Sequence, residues 1–170
     1  MSANLDNITI ENARIMFRNF SGKATKYNSV GDRNFCVIID DDNVAKNLLN
    51  DGWNIKTWQP KDEEAAPVNY LPVKLRFDVI PPKIYRISSL TGKQVLMDEE
   101  MISAFDSEEF KNVDLILHPY TWEINGKVGI TAYVKTMYVT VEEDALAAKY
   151  ARMNDNLPNF PDASEEDVPF

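Results

Sequence analysis

The 170-residue chain has one cysteine and one histidine, so thiol or imidazole chemistry would have to be built from Cys36 and His118. Nucleophilic catalysis needs a nucleophile and a base within hydrogen-bond reach. Cys36 instead lies in the apolar run from Phe35 to Ile39, where a thiol acts as a small buried hydrophobe. One cysteine also excludes an internal disulfide and a Cys-based zinc site. The run Asp40-Asp41-Asp42 offers carboxylates to a divalent cation, as a metal-dependent nuclease requires. Asp42, however, is placed to cap a helix, and no spaced carboxylate motif accompanies the run. No catalytic residue, cofactor or metal ligand is expected.

Binding chemistry is better represented. Arg14, Arg18, Phe20, Lys23, Lys26, Tyr27 and Arg33 interleave bases with rings over twenty residues, a pattern that suits a groove tracking a nucleic-acid backbone beside stacking platforms. The same residues would equally make a solvated basic hairpin. Further along, Lys74 and Arg76 are the bases of an alternating strand, and Tyr120, Trp122, Tyr133 and Lys135 fall on one face of a later hairpin. Base stacking on such rings is worth about 1 to 3 kcal/mol each and tolerates any base sequence. The alternative for that face is cover by a helix or a second strand layer, which would make Trp122 and Tyr133 core aromatics.

The third feature is the C-terminal stretch. Asp162, Glu165, Glu166 and Asp167 precede Val168, Pro169 and Phe170, setting negative charge, a stiffened backbone and a terminal carboxylate beside one large ring. A basic pocket on another protein would pair with the carboxylates while an apolar slot takes Phe170. An ordinary solvated acidic tail is the plain alternative.

The net charge of −9 at first opposes a phosphate-bearing partner. The acids, however, are unevenly placed. Removing the five that follow Arg152 (Asp155, Asp162, Glu165, Glu166 and Asp167) leaves −4 on the first 152 residues, and residues 1–37 carry five bases against three acids. A local basic groove therefore remains compatible with an acidic chain. No run approaches the ~18 apolar residues of a membrane span, and the N-terminus lacks the basic start and apolar core of a signal peptide. A cytoplasmic protein without a membrane partner is expected.

The elements that must position these groups are mostly strands. A strand from about Asn12 to Phe20 alternates Ala13, Ile15 and Phe17 with Arg14, Met16 and Arg18, and a glycine-bearing loop, Ser21 to Asp32, returns it into a strand from Arg33 to Ile39. Asp42 would cap a short helix ending at Gly52. A brief strand near Trp53 to Trp58, an exposed acidic loop from Pro60 to Pro67, and half-buried strands around Val73 to Val79 and Lys83 to Ser88 follow. After a strand from Gln94 to Met97, a helical turn faces Met101, Ile102 and Phe105 inward. The clearest signal is a hairpin from Val113 to Val139 turned at Asn125-Gly126. Its register sets Ile124 opposite Lys127 and Trp122 opposite Gly129. One face then gathers Val113, Leu115, Leu117, Val128, Ile130, Ala132 and Val134 as core; the other gathers Ile116, His118, Tyr120, Trp122, Lys127, Thr131, Tyr133 and Lys135. Thr140 and Glu143 form a capping box for a helix to about Arg152, whose stripe of Leu146, Tyr150 and Met153 would pack on the sheet. Residues 1–153 make one domain and 154–170 a disordered acidic tail.

Many short strands without βαβ alternation imply a mainly β antiparallel Greek-key sheet or small barrel with added helices. The segments Asn12 to Phe17, Val113 to Trp122 and Ala132 to Val139 resemble those of phage-encoded single-stranded-DNA-binding proteins, which implies an oligonucleotide/oligosaccharide-binding (OB) fold. The tip resembles that of the bacterial single-stranded-DNA-binding proteins, with Val168 where those carry isoleucine before Pro-Phe. That likeness implies recruitment of host or phage replication, recombination and repair proteins. A monomer or dimer is expected. The usual Gly- and Gln-rich linker is missing. The rival function is an acidic adaptor or DNA mimic that engages DNA-processing enzymes without touching DNA.

Overall fold

The computed structural model describes residues 6–26, 29–78, 81–146 and 149–150. In chain order the elements are β1 (Ile8–Ile10), β2 (Arg14–Asn19), β3 (Arg33–Ile38), α1 (Asp42–Asn50), β4 (Lys56–Trp58), β5 (Val68–Leu75), β6 (Lys83–Ser88), β7 (Gln94–Met97), a 3-10 helix (Met101–Asp106), β8 (Phe110–Ile124) and β9 (Lys127–Val141). The fold is mainly β and OB-like, as its sequence implies.

The strands form one closed circuit. β2 pairs with β3, β3 with β5, β5 with β9, and β9 with β8. β1 pairs with β8, and Ala13 N–H donates to Val113 O at 2.7 Å, so the segment β1–β2 bends from one neighbour to the other and closes the ring. Asn12, in left-handed conformation (φ 51°), makes that bend, its N–H donating to Asp114 Oδ1 at 2.9 Å. The circuit encloses a core of Phe35, Val37, Leu71, Val73, Leu115, Leu117, Met137 and Val139, and β4 and β7, each paired with one strand, stand outside it. Two pairings are parallel, β5 with β9 and β6 with β9, so the sheet is mixed where antiparallel pairing alone is expected from the sequence.

The Asn125-Gly126 turn has φ of 53° and 80°, and the pairs Ile124↔Lys127, Trp122↔Gly129 and Tyr120↔Thr131 follow it as the two-residue loop requires. The register then slips: Leu117 faces Val134 but Ile116 faces Thr136, which makes Lys135 the extra residue of a bulge rather than a partner of Ile116. A bulge changes side-chain parity. Ile130, Ala132 and Val134 face the core before it, and Met137, Val139 and Val141 after it. Val128, near the turn, is 76% exposed, against its expected core place, because the hairpin end extends beyond the barrel interior.

Other expectations change for local reasons. Asp41, not Asp42, caps α1, accepting from the N–H of Asn43 and Val44 at 2.8 and 3.4 Å. Ala45 is buried in α1, whereas Val44 and Leu49 are exposed. Ile102 and Phe105 are buried in the 3-10 helix, while Met101 is largely exposed. Thr140 does not form a capping box, because β9 runs on to Val141 and Glu143 accepts from Ser88 Oγ and pairs with Arg86. Leu146 and Tyr150 are exposed, so they do not pack on the sheet; Met153 lies outside the described residues. Arg86 bridges Glu108 at 2.7 Å and Glu143 at 3.0 Å, tying β6 to the start of β8 and the end of β9. Its pKa is raised, chiefly by the hydrogen bonds to Glu108.

Phe20 is the sharpest correction. It is fully buried, stacked on Phe35 at 5.4 Å and edge-on to Phe105 at 5.5 Å, so it is a core residue and cannot meet a base. Phe20→Ala should destabilise the fold by about 3 to 5 kcal/mol, read as a lower urea midpoint at unchanged slope.

Candidate nucleic-acid interface

In β3 and β5, Phe35, Val37, Leu71, Val73 and Leu75 are the inward set, so Asn34, Cys36, Ile38, Tyr70, Pro72 and Lys74 form the outer face. Register aligns them as Asn34↔Lys74, Cys36↔Pro72 and Ile38↔Tyr70. Lys74 is in turn aligned with Tyr133 of β9, and Tyr133 meets Tyr120 edge-on at 5.9 Å. One outer surface therefore unites four of the sequence candidates, Lys74, Tyr120, Trp122 and Tyr133, and the first three line an open cleft. The cleft, of about 630 Å³, is lined by Lys74, Tyr120, Trp122, Glu123, Ile124 and Thr131.

Trp122 is half-buried because its six-membered ring lies directly over Gly129, where a Cβ would collide with it. Its indole N–H donates to Thr131 Oγ1 at 3.1 Å, which fixes the ring against the strand. Tyr120 is 55% exposed. Arg76, next outward along the chain, is held by Asp78 in a two-pronged contact of 3.1 and 2.7 Å. Its pKa is raised, first by the Asp78 hydrogen bond and to a lesser extent by Tyr133.

The β2–β3 candidates scatter. Arg14 is on the outer side with Ile38 but pairs with Asp40 at 3.1 Å. Arg18 donates to the carbonyls of Phe105 and Glu108 at 2.9 and 2.8 Å and lies 4.4 Å from the Phe110 ring centroid, so it anchors the 3-10 helix and the start of β8. Arg33 has the inward parity of Phe35 and emerges at the barrel end, bridging Glu99 at 2.8 Å, away from Lys74. Lys23 and Lys26 are exposed on the loop, whose neck is closed by Gly31 N–H to Gly22 O at 2.8 Å. Asn19 holds the backbone of Lys23 through both its amide atoms. Lys135 is the exposed bulge residue of β9. Tyr27 and the tail residues Asp162 to Phe170 lie outside the described residues.

The sequence reading missed a second aromatic group. Phe17 and Trp58, 55% and 40% exposed, meet edge-on at 5.7 Å, and Phe17 also approaches Tyr70 at 6.3 Å. Strict alternation assigns Phe17 to the core, and a lone Trp in a three-residue strand gives no periodic signal.

Among the described residues no group of three or more His, Cys, Asp or Glu gathers as a metal site, and no helix is long and apolar enough to cross a membrane. His118 is exposed and its Nδ1 lies 3.0 Å from Asn7 Oδ1.

A closed five-strand circuit of this kind is an oligonucleotide/oligosaccharide-binding (OB)-like fold, a class in which the outer faces of the second and third strands take the ligand. The chain belongs to the phage single-stranded-DNA-binding family: the family model for the putative phage ssDNA-binding domain matches residues 1–168. Three structures of the single-stranded DNA-binding protein from bacteriophage Enc34 share the fold. The C-terminal truncation has a TM-score of 0.53 at 11% identity, covering 81% of this chain and 87% of that one. The complex with ssDNA has 0.53 at 9%, covering 81% and 88%. A further structure has 0.50 at 11%, covering 81% and 82%. No curated protein sequence matches the chain.

Cys36 lies on the outer face between Met16 and Pro72, half-buried rather than in the core. Burial pushes its thiol up to about 11, against a smaller opposing effect of Lys56. A raised thiol pKa disfavours the nucleophilic thiolate at neutral pH. Alkylation by iodoacetamide should therefore keep rising about tenfold per pH unit from pH 8 to 10, where an ordinary thiol of pKa ~8.5 would level off. A plateau at pH 9 would show an unburied thiol.

Proposed function

We propose that the chain binds single-stranded DNA without sequence preference across the outer face of β3, β5 and the β8–β9 hairpin, and recruits DNA-processing proteins through its acidic C-terminal stretch. The observation that carries the first part is the set Tyr120, Trp122 and Tyr133 on the same outer surface as Lys74, with Tyr120 more than half exposed. Rings that already rest on backbone or on one another lose little freedom when a base stacks on them, and Lys74 sits where a phosphate would run. The bound state of the Enc34 protein in its ssDNA complex supports the same class of ligand. Residues 1–153 serve as the binding domain and 154–170 as the tail. In this reading Lys23 and Lys26, exposed on the β2–β3 loop, and Lys135 on the β9 bulge add positive charge along the path, with Tyr27 as a further ring. The protein acts as a coat and recruiter rather than as an enzyme, in the cytoplasm of the infected host, as a monomer or dimer.

The test is a titration of labelled oligo-dT and of its duplex at two salt concentrations. Single-strand binding should be much tighter, and Trp122→Ala should cost about 1 to 3 kcal/mol with the fold retained. Equal or absent binding to both forms would favour an acidic adaptor that contacts no DNA.

A polyanionic tail competes with DNA for a basic groove on its own chain, at an effective concentration on the order of millimolar. Deleting Asp162 to Phe170 should leave oligo-dT binding intact or tighter, chiefly at low salt, where the Debye length reaches ~30 Å at 0.01 M. The same deletion should abolish capture of a replication or repair protein, and removing Phe170 alone should do most of that damage. A tailless chain that loses single-strand binding would refute the assignment.

A further inference from the structure

We infer that Phe17, Trp58 and Tyr70 form a second base-stacking site, presented by a strained bulge in β2, so that a single strand is gripped at two places on the outer face. The inference rests on the single-strand reading above and extends it to residues outside the hairpin.

The first observation is conformational. Phe17 has φ of 55°, in the left-handed region that a bulky L-residue rarely adopts. Such a residue is strained and persists only where its surroundings impose it. Here the flanking residues do so. The β2–β3 register shifts between Met16 and Asn19. Arg18 is pinned to the carbonyls of Phe105 and Glu108, and Asn19 is buried on the Lys23 backbone. Ile15, two residues earlier, faces Val37 of the core, so regular alternation would send Phe17 inward. The bulge turns it out instead, against Trp58 and Tyr70.

The second observation is placement. Tyr70 and Lys74 share the outer parity of β5, about 13 Å apart at ~3.3 Å per residue. β4, which carries Trp58, and β9, which carries Tyr133, both pair with β5, so the two aromatic groups belong to one continuous face. Lys56 is aligned with Tyr70 and acts electrostatically on Cys36, which puts a positive charge on the ground between them. The other charged neighbours are Arg14 with Asp40, and Asp42, which accepts from Asn69. Exposed rings flanked by an ammonium on the proposed path fit unstacked bases with their phosphates.

The experiment compares oligo-dT of increasing length on the wild type, Trp58→Ala, Trp58→Phe, Phe17→Gly and Trp122→Ala. Trp58→Ala should weaken binding to long oligomers by about 5- to 100-fold while leaving the salt slope unchanged, because a ring and not a phosphate contact is lost. The shortest oligomers that bind should lose less, and Trp58→Phe should recover most of the affinity. Phe17→Gly, which accepts positive φ freely, should relieve strain and hold or raise the melting temperature while still weakening binding. In Trp122→Phe, Trp58 is the exposed indole, since Trp53 is buried, and oligo-dT should shield it from acrylamide. Wild-type affinity in folded Trp58→Ala and Phe17→Gly would overturn the second site, as would an unshielded Trp58 if those variants fail to fold. Loss in Trp122→Ala alone would leave the hairpin site standing without this one. A wild type that ignores oligo-dT would overturn the functional reading itself.

Discussion

Strand β9 makes three ladders, with β8 along its length, with β5 at Ala132 and Tyr133, and with β6 from Thr136 to Val141. The bulge at Lys135 permits this, since a straight strand would keep one neighbour on that edge. By shifting parity, it keeps Val134 and Met137 both in the core while β9 bends from β5 to β6. The outer face depends on the same geometry. Tyr133, two residues before the bulge, is set beside Lys74, and Tyr120 and Trp122 follow across the hairpin.

The molecule uses its charges in two ways. Arg18, Arg33 and Arg86 are consumed by carbonyls and carboxylates that hold loops to the barrel. Lys56, Lys74 and Lys135 are exposed, which suits a long, strongly hydrated point charge meeting a mobile phosphate backbone. Arg14 and Arg76 lie between these roles, exposed but each paired with an aspartate, so their charge is partly offset until a competing anion arrives.

Rigid and strained features also divide the face. Trp122 is fixed by Gly129 beneath it and by Thr131 at its N–H, with no backbone strain. Phe17 is exposed at the expense of its backbone conformation, held by Arg18 and Asn19, which are tied to the Phe105 and Glu108 carbonyls and to the Lys23 backbone. Stability alone would not select such an arrangement, because an inward Phe17 would bury a ring without the strained φ.

Local signals sufficed wherever the interaction is local. The Asn125-Gly126 turn needs positive φ from two adjacent residues, and a two-residue loop leaves one register, so Trp122 over Gly129 was legible in sequence. Period-two alternation likewise marked Val73 and Leu75 as core and Lys74 as outward. Tertiary structure decided the rest. Sequence has no marker for the parallel pairing of β5 with β9, which joins Lys74 to Tyr133 across fifty-eight intervening residues. Nor does it mark the bulges that put Lys135 out of register and Phe17 out of the core. Phe20 and Arg33 read as binding residues because their types suit nucleic acid, yet the barrel interior took one and Glu99 the other. Residue type and spacing determine which chemistry is available; which side of a strand presents it depends on distant partners, since one extra residue reverses every side chain beyond it.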